Sequence, residues 1–235
     1  MSFDSLGLSR FLLSALESQK YEKPYPIQEQ AIPAILKGKD VLGIAQTGSG
    51  KTASYVLPVL MNLDGQAVKK NRHINVLVMV PTRELAIQVE AVFKLFGAAM
   101  PFPFKSMAVY GGVSINPQMK ALSNVNVLVA TPGRLLELAD SNALQFSSVS
   151  TLVLDEADKM LNLGFKLEMD RVFALLPAKR QNLLFSATLN PDVESMKRVL
   201  LNNPVVINVM PEKEAIELID QIGYFVSDEK KGPLL

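Results

Sequence analysis

The sequence predicts an α/β domain in which a mostly parallel sheet of about seven strands lies between two layers of helices. Short apolar runs recur along the chain, and several are continuous rather than alternating, as in strands that are buried on both faces. Helical segments fall between these runs, as in a sheet covered by crossover helices. The strand-like runs cover residues 41–45, 76–80, 106–110, 127–130, 151–154, 182–186 and 205–209.

Two of the intervening helices carry clear signals. In one, apolar residues recur at three- and four-residue spacing and predict a stripe that packs on the sheet: Leu85, Val89, Val92, Phe93 and Phe96. In the other, Asn190 is the predicted cap and Pro191 the first helical residue. Five loops with uncommon sequences follow the strand-like runs, after residues 44, 80, 130, 154 and 185. In parallel α/β sheets, ligands bind beyond the carboxyl ends of the strands, which is where these loops lie.

Composition excludes several classes of site. The 235 residues carry 24 basic and 23 acidic side chains, a net charge of +1, so nucleic acid would have to bind to a local patch or to backbone donors. The absence of cysteine excludes disulfides and thiolate metal sites. The single histidine, His73, lies in a polar stretch and is expected in solvent rather than on a metal.

Nothing in the sequence indicates a membrane protein. No apolar run approaches the roughly 18 residues that cross a bilayer. The first ten residues lack the basic-then-apolar order of a signal peptide. We therefore expect a soluble, cytoplasmic protein.

The stretch AQTGSGKT, from Ala45 to Thr52, directly follows the first strand. Its small residues leave backbone N–H groups bare before a helix, which suits the terminal phosphates of a nucleotide. Lys51 would reach the β- and γ-phosphates, and the Thr52 hydroxyl would coordinate Mg²⁺. The general pattern has glycine where this chain has Ala45. The alternative is a glycine-rich turn that only begins a helix.

The stretch DEAD, from Asp155 to Asp158, follows the fifth strand. At a strand end beside a phosphate loop, the carboxylate of Asp155 can hold Mg²⁺ through water. Glu156 could then orient and deprotonate the attacking water. The alternative is a solvated helix start.

The stretch PYPIQ, from Pro24 to Gln28, follows Tyr21 and, further upstream, Phe3. A glutamine amide can pair with the N6 and N7 edge of adenine, and an aromatic ring can stack on a base. A helix-initiating turn with core aromatics explains the same residues, so the pattern alone leaves both interpretations open.

Three further stretches follow strands: PTREL at 81–85, the pair Gly111 and Gly112, and TPGR at 131–134. Helix N-termini and bare glycine amides can hold nucleic-acid phosphates without reading bases. The alternative for each is ordinary capping by Thr82 or Thr131. The stretch SAT, from Ser186 to Thr188, is by itself a strand-end turn.

As an ordered set, these motifs resemble the first RecA-like domain of the DEAD-box family of ATP-dependent RNA helicases. The resemblance runs from Phe3, seventeen residues ahead of Lys20, through YEKPYPIQ and the later motifs to about Val209. It implies a RecA-like P-loop NTPase fold with ATP and Mg²⁺ as cofactors and RNA as a partner held by its backbone. Residues 3–28 would form the family's Q motif.

The resemblance also implies roles for single residues. Gln28 would read adenine between Phe3 and Tyr21, and the loop Ala45, Gln46, Thr47, Gly48, Ser49, Gly50, Lys51 and Thr52 would bind ATP. Thr52 and Asp155 would serve Mg²⁺, Glu156 the hydrolytic water, and Ser186 with Thr188 the coupling of hydrolysis to strand separation. The RNA path would comprise Pro81, Thr82, Arg83, Gly111, Gly112, Thr131, Gly133 and Arg134.

The family commonly carries alanine at the position of Ala45, whereas Lys20 stands where it usually has glycine. Residues 1–209 are interpreted as the ATP-binding domain, and 210–235 as a linker with the opening of an absent second RecA-like domain, whose arginines stabilise the γ-phosphate. The chain would then be a monomeric fragment that binds adenine nucleotides but hydrolyses ATP very slowly. The alternatives are another RecA-like motor, such as a DNA helicase or translocase, and a non-enzymatic RNA-binding adaptor.

Overall fold

The structure, a computed structural model, describes residues 2–63 and 72–209. Within these ranges seven strands form one sheet, and all neighbouring strands are parallel. The strands are β1 Val41–Ala45, β2 Val76–Met79, β3 Ser106–Val109, β4 Val127–Ala130, β5 Thr151–Leu154, β6 Gln181–Ser186 and β7 Val205–Val209. The seven predicted strands are confirmed, and no end differs from its predicted position by more than about one residue.

Helices fill the connections, and a 3₁₀ turn at Phe3–Leu6 precedes them. They are α1 Arg10–Ser18, α2 Pro26–Leu36, α3 Lys51–Asn62, α4 Arg83–Gly97, α5 Ile115–Ala121, α6 Pro132–Asp140, α7 Ala157–Asn162, α8 Lys166–Leu175 and α9 Pro191–Leu200. Both helices with clear signals are confirmed. The predicted stripe lies on α4, and the side chain of Asn190 caps α9 by accepting a hydrogen bond from the backbone N–H of Val193 at 2.9 Å.

The strand order brings distant motifs to one edge of the sheet. The order is β3-β4-β2-β5-β6-β1-β7, so β1 lies between β6 and β7, and β5 lies between β2 and β6. Because all strands are parallel, their carboxyl ends meet at the same edge. The loops that follow β1, β5 and β6, which carry AQTGSGKT, DEAD and SAT, are therefore neighbours in space.

The sheet is covered on both faces, as the continuous apolar runs predict. Along β1, Val41 and Ala45 pack into the core cluster that contains α1 to α4, whereas Leu42 and Ile44 pack into the cluster on the opposite face with α6 to α9. Most of the apolar side chains in both clusters are fully buried. The three-layer α/β prediction is confirmed.

Two remaining expectations have different outcomes. The predicted linker and the opening of a second RecA-like domain, both within 210–235, lie outside the described residues. His73 is half-buried rather than fully in solvent, with Nδ1 at 3.2 Å from the Ser147 hydroxyl.

The described ranges contain no group of three His, Cys, Asp or Glu side chains that could hold a metal. They also contain no helix long and apolar enough to cross a membrane.

Candidate functional site

The loop between β1 and α3 is built around glycine. Gly50, the last residue before α3, has φ of +86°, in the left-handed region. A Cβ added there would lie 2.5 Å from Nε2 of Gln28 and 2.8 Å from Cδ2 of Tyr25. Only glycine fits this position, and the loop ahead of it, with Gln46, Thr47 and Gly48 exposed, opens to solvent at the N-terminus of a helix.

Lys51 begins α3, and its side chain turns back beneath the loop. It is 7% exposed, and Nζ donates a hydrogen bond to the carbonyl oxygen of Ala45. Burial lowers the pKa of Lys51, while the nearby carboxylates of Asp155 and Glu156 oppose that change. The ammonium group thus lies between the loop and the acidic residues that follow β5.

Asp155 ends β5 as a buried carboxylate with two internal donors. It is 2% exposed, Oδ1 accepts from the backbone N–H of Glu156 at 2.9 Å, and Oδ2 accepts from the Tyr55 hydroxyl at 2.8 Å. Burial raises the pKa of Asp155, and the hydrogen bond from Tyr55 and the charge of Lys51 counteract this. Burial and the adjacent carboxylate raise the pKa of Tyr55 well above its ordinary value, so the phenol is a stable donor. No sequence motif singles out Tyr55.

Glu156 has a backbone conformation that is uncommon for a residue with a side chain. Its φ of +53° and ψ of 48° lie in the left-handed region, which costs about 1–3 kcal/mol and concentrates at functional sites. Its carboxylate is ion-paired with Lys159, with Nζ at 2.9 Å from Oε2 and 3.0 Å from Oε1. The turn places Glu156 beside Asp155 at the wall of the same cavity.

Gln28 is fully buried and connects α2 to the loop between β1 and α3. Its Oε1 accepts from the backbone N–H of Tyr25 at 2.9 Å, and its Nε2 donates to the carbonyl of Gly50 at 3.0 Å. The helix-initiating turn that the sequence left as an alternative is therefore present, since α2 begins at Pro26. The same amide also lines the cavity, so the two interpretations are compatible.

The two aromatic residues proposed to flank a base differ in position. Tyr21 lines the cavity, whereas Phe3 is buried behind it, with the ring centroids 6.5 Å apart and nearly edge-on. Phe96 supports Tyr21 from another side at 5.7 Å. Phe3 thus orients Tyr21 and does not itself face the cavity.

These elements enclose a cavity of ≈ 740 Å³. Its walls include most of the residues that the sequence proposed for ATP and Mg²⁺: Tyr21, Gln28, Thr47, Gly48, Gly50, Lys51, Thr52, Asp155 and Glu156. Three residues of α4, Leu85, Gln88 and Val92, line it as well. The sequence carries no signal for them at this site, since their position depends on how α4 packs beside α3. The other proposed loop residues, Ala45, Gln46 and Ser49, lie next to the cavity but not in its wall.

The SAT stretch contacts the DEAD stretch. Ser186 is fully buried at the end of β6, and its hydroxyl donates to the carbonyl of Thr188 at 2.7 Å. Thr188 in turn donates to Asp158 from its hydroxyl at 2.9 Å and from its backbone N–H at 3.1 Å. Asp158, to which the sequence assigned no role of its own, is therefore the contact between the two motifs.

The residues proposed for an RNA path lie along the loops after β2, β3 and β4. Thr82 caps α4 by accepting from the backbone N–H of Leu85 at 3.2 Å, so capping accounts for its side chain. Thr131 is the cap residue before α6, but its side chain makes no cap hydrogen bond. Pro81 is buried. Gly111 and Gly112 are exposed and Gly133 is half-buried. A Cβ atom added at any of these three glycines would meet no atom within 4 Å, so the backbone there is open.

The two arginines of this edge differ sharply. Arg134 is only 6% exposed. Its Nε is ion-paired with Oε2 of Glu137 at 2.8 Å, and its Nη2 donates a hydrogen bond to the carbonyl oxygen of Val113 at 2.7 Å. It positions the loop after Gly112, and its guanidinium is engaged within the domain. Its place on the RNA path stays a prediction.

Arg83 is exposed, and its guanidinium lies 5.0 Å from the centre of the Tyr110 ring. The buried amide of Gln118 holds Tyr110 by accepting from its backbone N–H at 3.2 Å and donating to its carbonyl at 3.1 Å. Arg83 is thus the basic group that this edge presents to solvent on a fixed platform, and Gln118 is a residue that the sequence did not reveal.

Comparison with known proteins places this geometry in context. A sequence model of a protein family, described as DEAD/DEAH box helicase, matches residues 25–196. The chain is 40% identical over 236 residues to the ATP-dependent RNA helicase CshA of Limosilactobacillus reuteri, covering 100% of this chain and 46% of that protein. It is 42% identical over 237 residues to the ATP-dependent rRNA helicase RRP3 of Pyricularia oryzae, covering 100% of this chain and 43% of that protein.

A solved structure agrees with the fold. The crystal structure of a DEAD box protein from the hyperthermophile Methanococcus jannaschii superimposes with a TM-score of 0.81 at 35% identity, covering 88% of this chain and 56% of that one. The chain spans less than half the length of the two curated relatives that it matches.

Proposed function

Because this chain belongs to the DEAD/DEAH box helicase family, we propose that it is the ATP-binding half of an ATP-dependent RNA helicase. In this proposal residues 1–209 are the first RecA-like domain. Joined to a second RecA-like domain, the protein couples ATP hydrolysis to RNA unwinding or to remodelling of RNA–protein complexes. The relatives bear RNA helicase names, and this chain matches them along its whole length.

The single observation that carries the proposal is the composition of the ≈ 740 Å³ cavity. Its lining combines an aromatic ring and a glutamine amide with a glycine loop, a lysine and two acidic residues. A nucleotide needs the first two groups for its base and the others for its phosphates and metal ion. Nε2 of Gln28 keeps one hydrogen beyond its bond to Gly50, and Oε1 keeps one lone pair, so the amide can still pair with adenine.

The donor set fits a magnesium ion. Thr52 and Asp155 supply a hydroxyl and a carboxylate to the same cavity, and Mg²⁺ prefers such oxygen ligands together with phosphate oxygens and water. When bound, the ion neutralises charge on the β- and γ-phosphates. Each oxygen of Asp155 has lone-pair capacity beyond its internal hydrogen bond, so the carboxylate can hold the ion through water.

The protein's own groups would then perform two tasks. Lys51 would exchange the Ala45 carbonyl for a phosphate oxygen, a short movement that releases a buried ammonium to a better partner. Glu156 would accept a hydrogen bond, and then the proton, from the attacking water. Its pairing with Lys159 keeps the carboxylate oriented at the cavity wall until that water is bound.

Support for RNA binding comes from the loops after β2, β3 and β4. Arg83 is exposed on its Tyr110 platform, and Gly111 with Gly112 leaves bare backbone on the same side. Such groups bind the sugar-phosphate backbone rather than base edges. Because the net charge is only +1, we expect this chain alone to bind single-stranded RNA weakly and with a strong dependence on salt.

Calorimetric titration of the 235-residue chain with Mg-ADP and Mg-GDP tests the proposal. We expect ADP to bind and GDP to bind at least about tenfold more weakly, since the amide of Gln28 matches adenine. Lys51→Ala should abolish measurable ADP binding. The matched control is Lys39→Ala, which removes an exposed lysine at the opposite edge of the sheet and should change nothing.

Equal binding of ADP and GDP would exclude adenine selection, and an unchanged ADP affinity in Lys51→Ala would favour a non-enzymatic adaptor. Hydrolysis should be slow in this chain, because arginines in comparable phosphoryl-transfer enzymes contribute roughly 10³–10⁵ in rate and here they are expected on the second domain. RNA-stimulated turnover near a typical ~10 s⁻¹ would contradict that part of the proposal.

A further inference from the structure

We propose that Tyr55 is a positioning residue of the magnesium site, whose hydroxyl holds the side chain of Asp155 in the orientation that the ion requires. The inference rests on the proposed function, because it assigns a role at the same site. It adds a residue that neither the motifs nor the comparisons with relatives single out.

The position of Tyr55 on α3 brings its hydroxyl to the carboxylate. Tyr55 follows Thr52 by three positions, so the two side chains lie on the same face of the helix. The Tyr55 hydroxyl donates to Oδ2 of Asp155 at 2.8 Å. A side chain on a helix is therefore bonded directly to the carboxylate at the strand end that is proposed to serve the ion.

The phenol ring is fixed by its surroundings. Tyr55 is completely buried, and its ring centroid lies 5.2 Å from that of Phe185 on β6 and 6.4 Å from that of Phe93 on α4. A ring enclosed in this way cannot leave its rotamer without disturbing the core. The hydroxyl is thus anchored to the sheet and to two helices, and it transmits that rigidity to the carboxylate.

Hydrogen bonds to both oxygens determine the plane of the Asp155 carboxylate. Oδ1 receives the backbone N–H of Glu156, and Oδ2 receives the Tyr55 hydroxyl. The remaining lone pairs then point in set directions. Groups that orient a metal-binding side chain in this way commonly contribute 10–100-fold to metal affinity.

A purely structural role predicts a different result. If the hydroxyl only satisfies a buried carboxylate, its removal weakens folding and leaves the contribution of Mg²⁺ to nucleotide affinity unchanged. If it positions the site, the Mg²⁺-dependent part of nucleotide affinity falls, and affinity in the absence of the metal is retained. The quantity that separates the two is the ratio of ADP affinities with Mg²⁺ and with a chelator.

The test is calorimetric titration of ADP into the full 235-residue chain and its Tyr55→Phe variant, at saturating Mg²⁺ and in excess chelator. Phenylalanine keeps the ring between Phe93 and Phe185 and removes only the hydroxyl. We expect the Mg²⁺-dependent gain in ADP affinity to fall about tenfold in Tyr55→Phe, with metal-free affinity unchanged. Ser54→Ala is the matched control, because it removes a neighbouring buried hydroxyl that donates to the carbonyl of Lys51 and not to the carboxylate.

A second pair of variants shows whether Tyr55 acts through Asp155. In an Asp155→Asn background, Tyr55→Phe should cause no further loss of the Mg²⁺-dependent gain. Two results would overturn this inference and leave the proposed function standing. The first is a Mg²⁺-dependent gain in ADP affinity that is the same in Tyr55→Phe as in the starting protein. The second is a loss of that gain in Ser54→Ala as large as the loss in Tyr55→Phe. ADP binding that is independent of Mg²⁺ in the starting protein would overturn the magnesium site of the proposed function and this inference with it.

Discussion

Thr188 donates two hydrogen bonds to the same oxygen of Asp158, one from its hydroxyl at 2.9 Å and one from its backbone N–H at 3.1 Å. Asp158 is the second residue of α7 and follows the carboxylates that line the cavity. Thr188 lies in the exposed turn after β6. The contact therefore connects the nucleotide wall to a surface loop. Movement of the acidic turn on nucleotide binding would be transmitted through this oxygen to the loop.

The first prediction concerns the strength of that contact. Thr188→Val removes the hydroxyl and retains the shape and the backbone donor, so we expect the free energy of unfolding to fall by about 1 kcal/mol. Asp158→Asn should lower it further. In urea unfolding of both single variants and the double variant, the losses should be less than additive, with a coupling of about 0.5 kcal/mol or more. Strict additivity would mean that the two side chains do not interact in solution.

The second prediction compares two glycines of the phosphate-binding loop. Gly48 and Gly50 have nearly the same φ, +85° and +86°, so alanine at either pays the same left-handed penalty of about 1–2 kcal/mol. Only at Gly50 does the new methyl group meet other atoms. Urea unfolding should show Gly50→Ala to be less stable than Gly48→Ala by about 1–3 kcal/mol.

A Gln28→Ala background supplies the control for that comparison. Removal of the amide should relieve part of the Gly50→Ala loss, because Nε2 of Gln28 is the nearest obstructing atom, while Gly48→Ala should be unaffected. Equal losses for the two glycine variants would mean that the close approach of α2 to the loop does not exist in solution.

The third prediction separates stability from function. Asp40, 7% exposed just before β1, accepts the backbone N–H of Asn182 on Oδ1 and that of Asn202 on Oδ2, both at 2.8 Å. Asp40→Ala leaves two donors without a partner, and we expect a loss of about 2–4 kcal/mol in unfolding free energy. Asp40→Asn, which keeps one acceptor, should lose less.

Because Asp40 lies at the amino ends of the strands, ADP affinity of its folded variants should equal that of the starting protein. Calorimetry under conditions where Asp40→Asn remains folded checks this point. A large drop in ADP affinity would show that the two edges of the sheet are coupled.

The fourth prediction addresses the RNA edge. Arg83→Ala removes the exposed guanidinium, so the slope of log affinity against log salt for single-stranded RNA should become shallower by about 0.7, the value for one phosphate contact on a single strand. Arg134→Ala should instead lower the free energy of unfolding, since that arginine is buried against Glu137 and Val113. Fluorescence anisotropy of labelled RNA at several salt concentrations measures the slope. A larger change of slope for Arg134→Ala than for Arg83→Ala would contradict the proposal that Arg83 is the arginine that contacts a phosphate.

The strands, their parallel arrangement and the edge at which the motifs meet could all be predicted from the amino-acid sequence. Continuous apolar runs such as VLVM report burial on both faces, and this information is local. The loops after residues 44, 80, 130, 154 and 185 were therefore expected at one edge. The strand order then places Lys51, Thr52, Asp155 and Glu156 in the wall of one cavity.

The directions of particular side chains depend on tertiary packing and could not be predicted from the sequence. Nothing in the spacing of Arg134 distinguishes a buried guanidinium from one that is offered to RNA, and nothing in the spacing of Phe3 shows that it lies behind Tyr21. Tyr55 resembles any core aromatic until Asp155, a hundred residues away, is brought to its hydroxyl. The physical reason is that backbone propensity and hydrophobic period act over a few residues, whereas the partner of a buried polar atom is set by packing between elements that are distant in the chain.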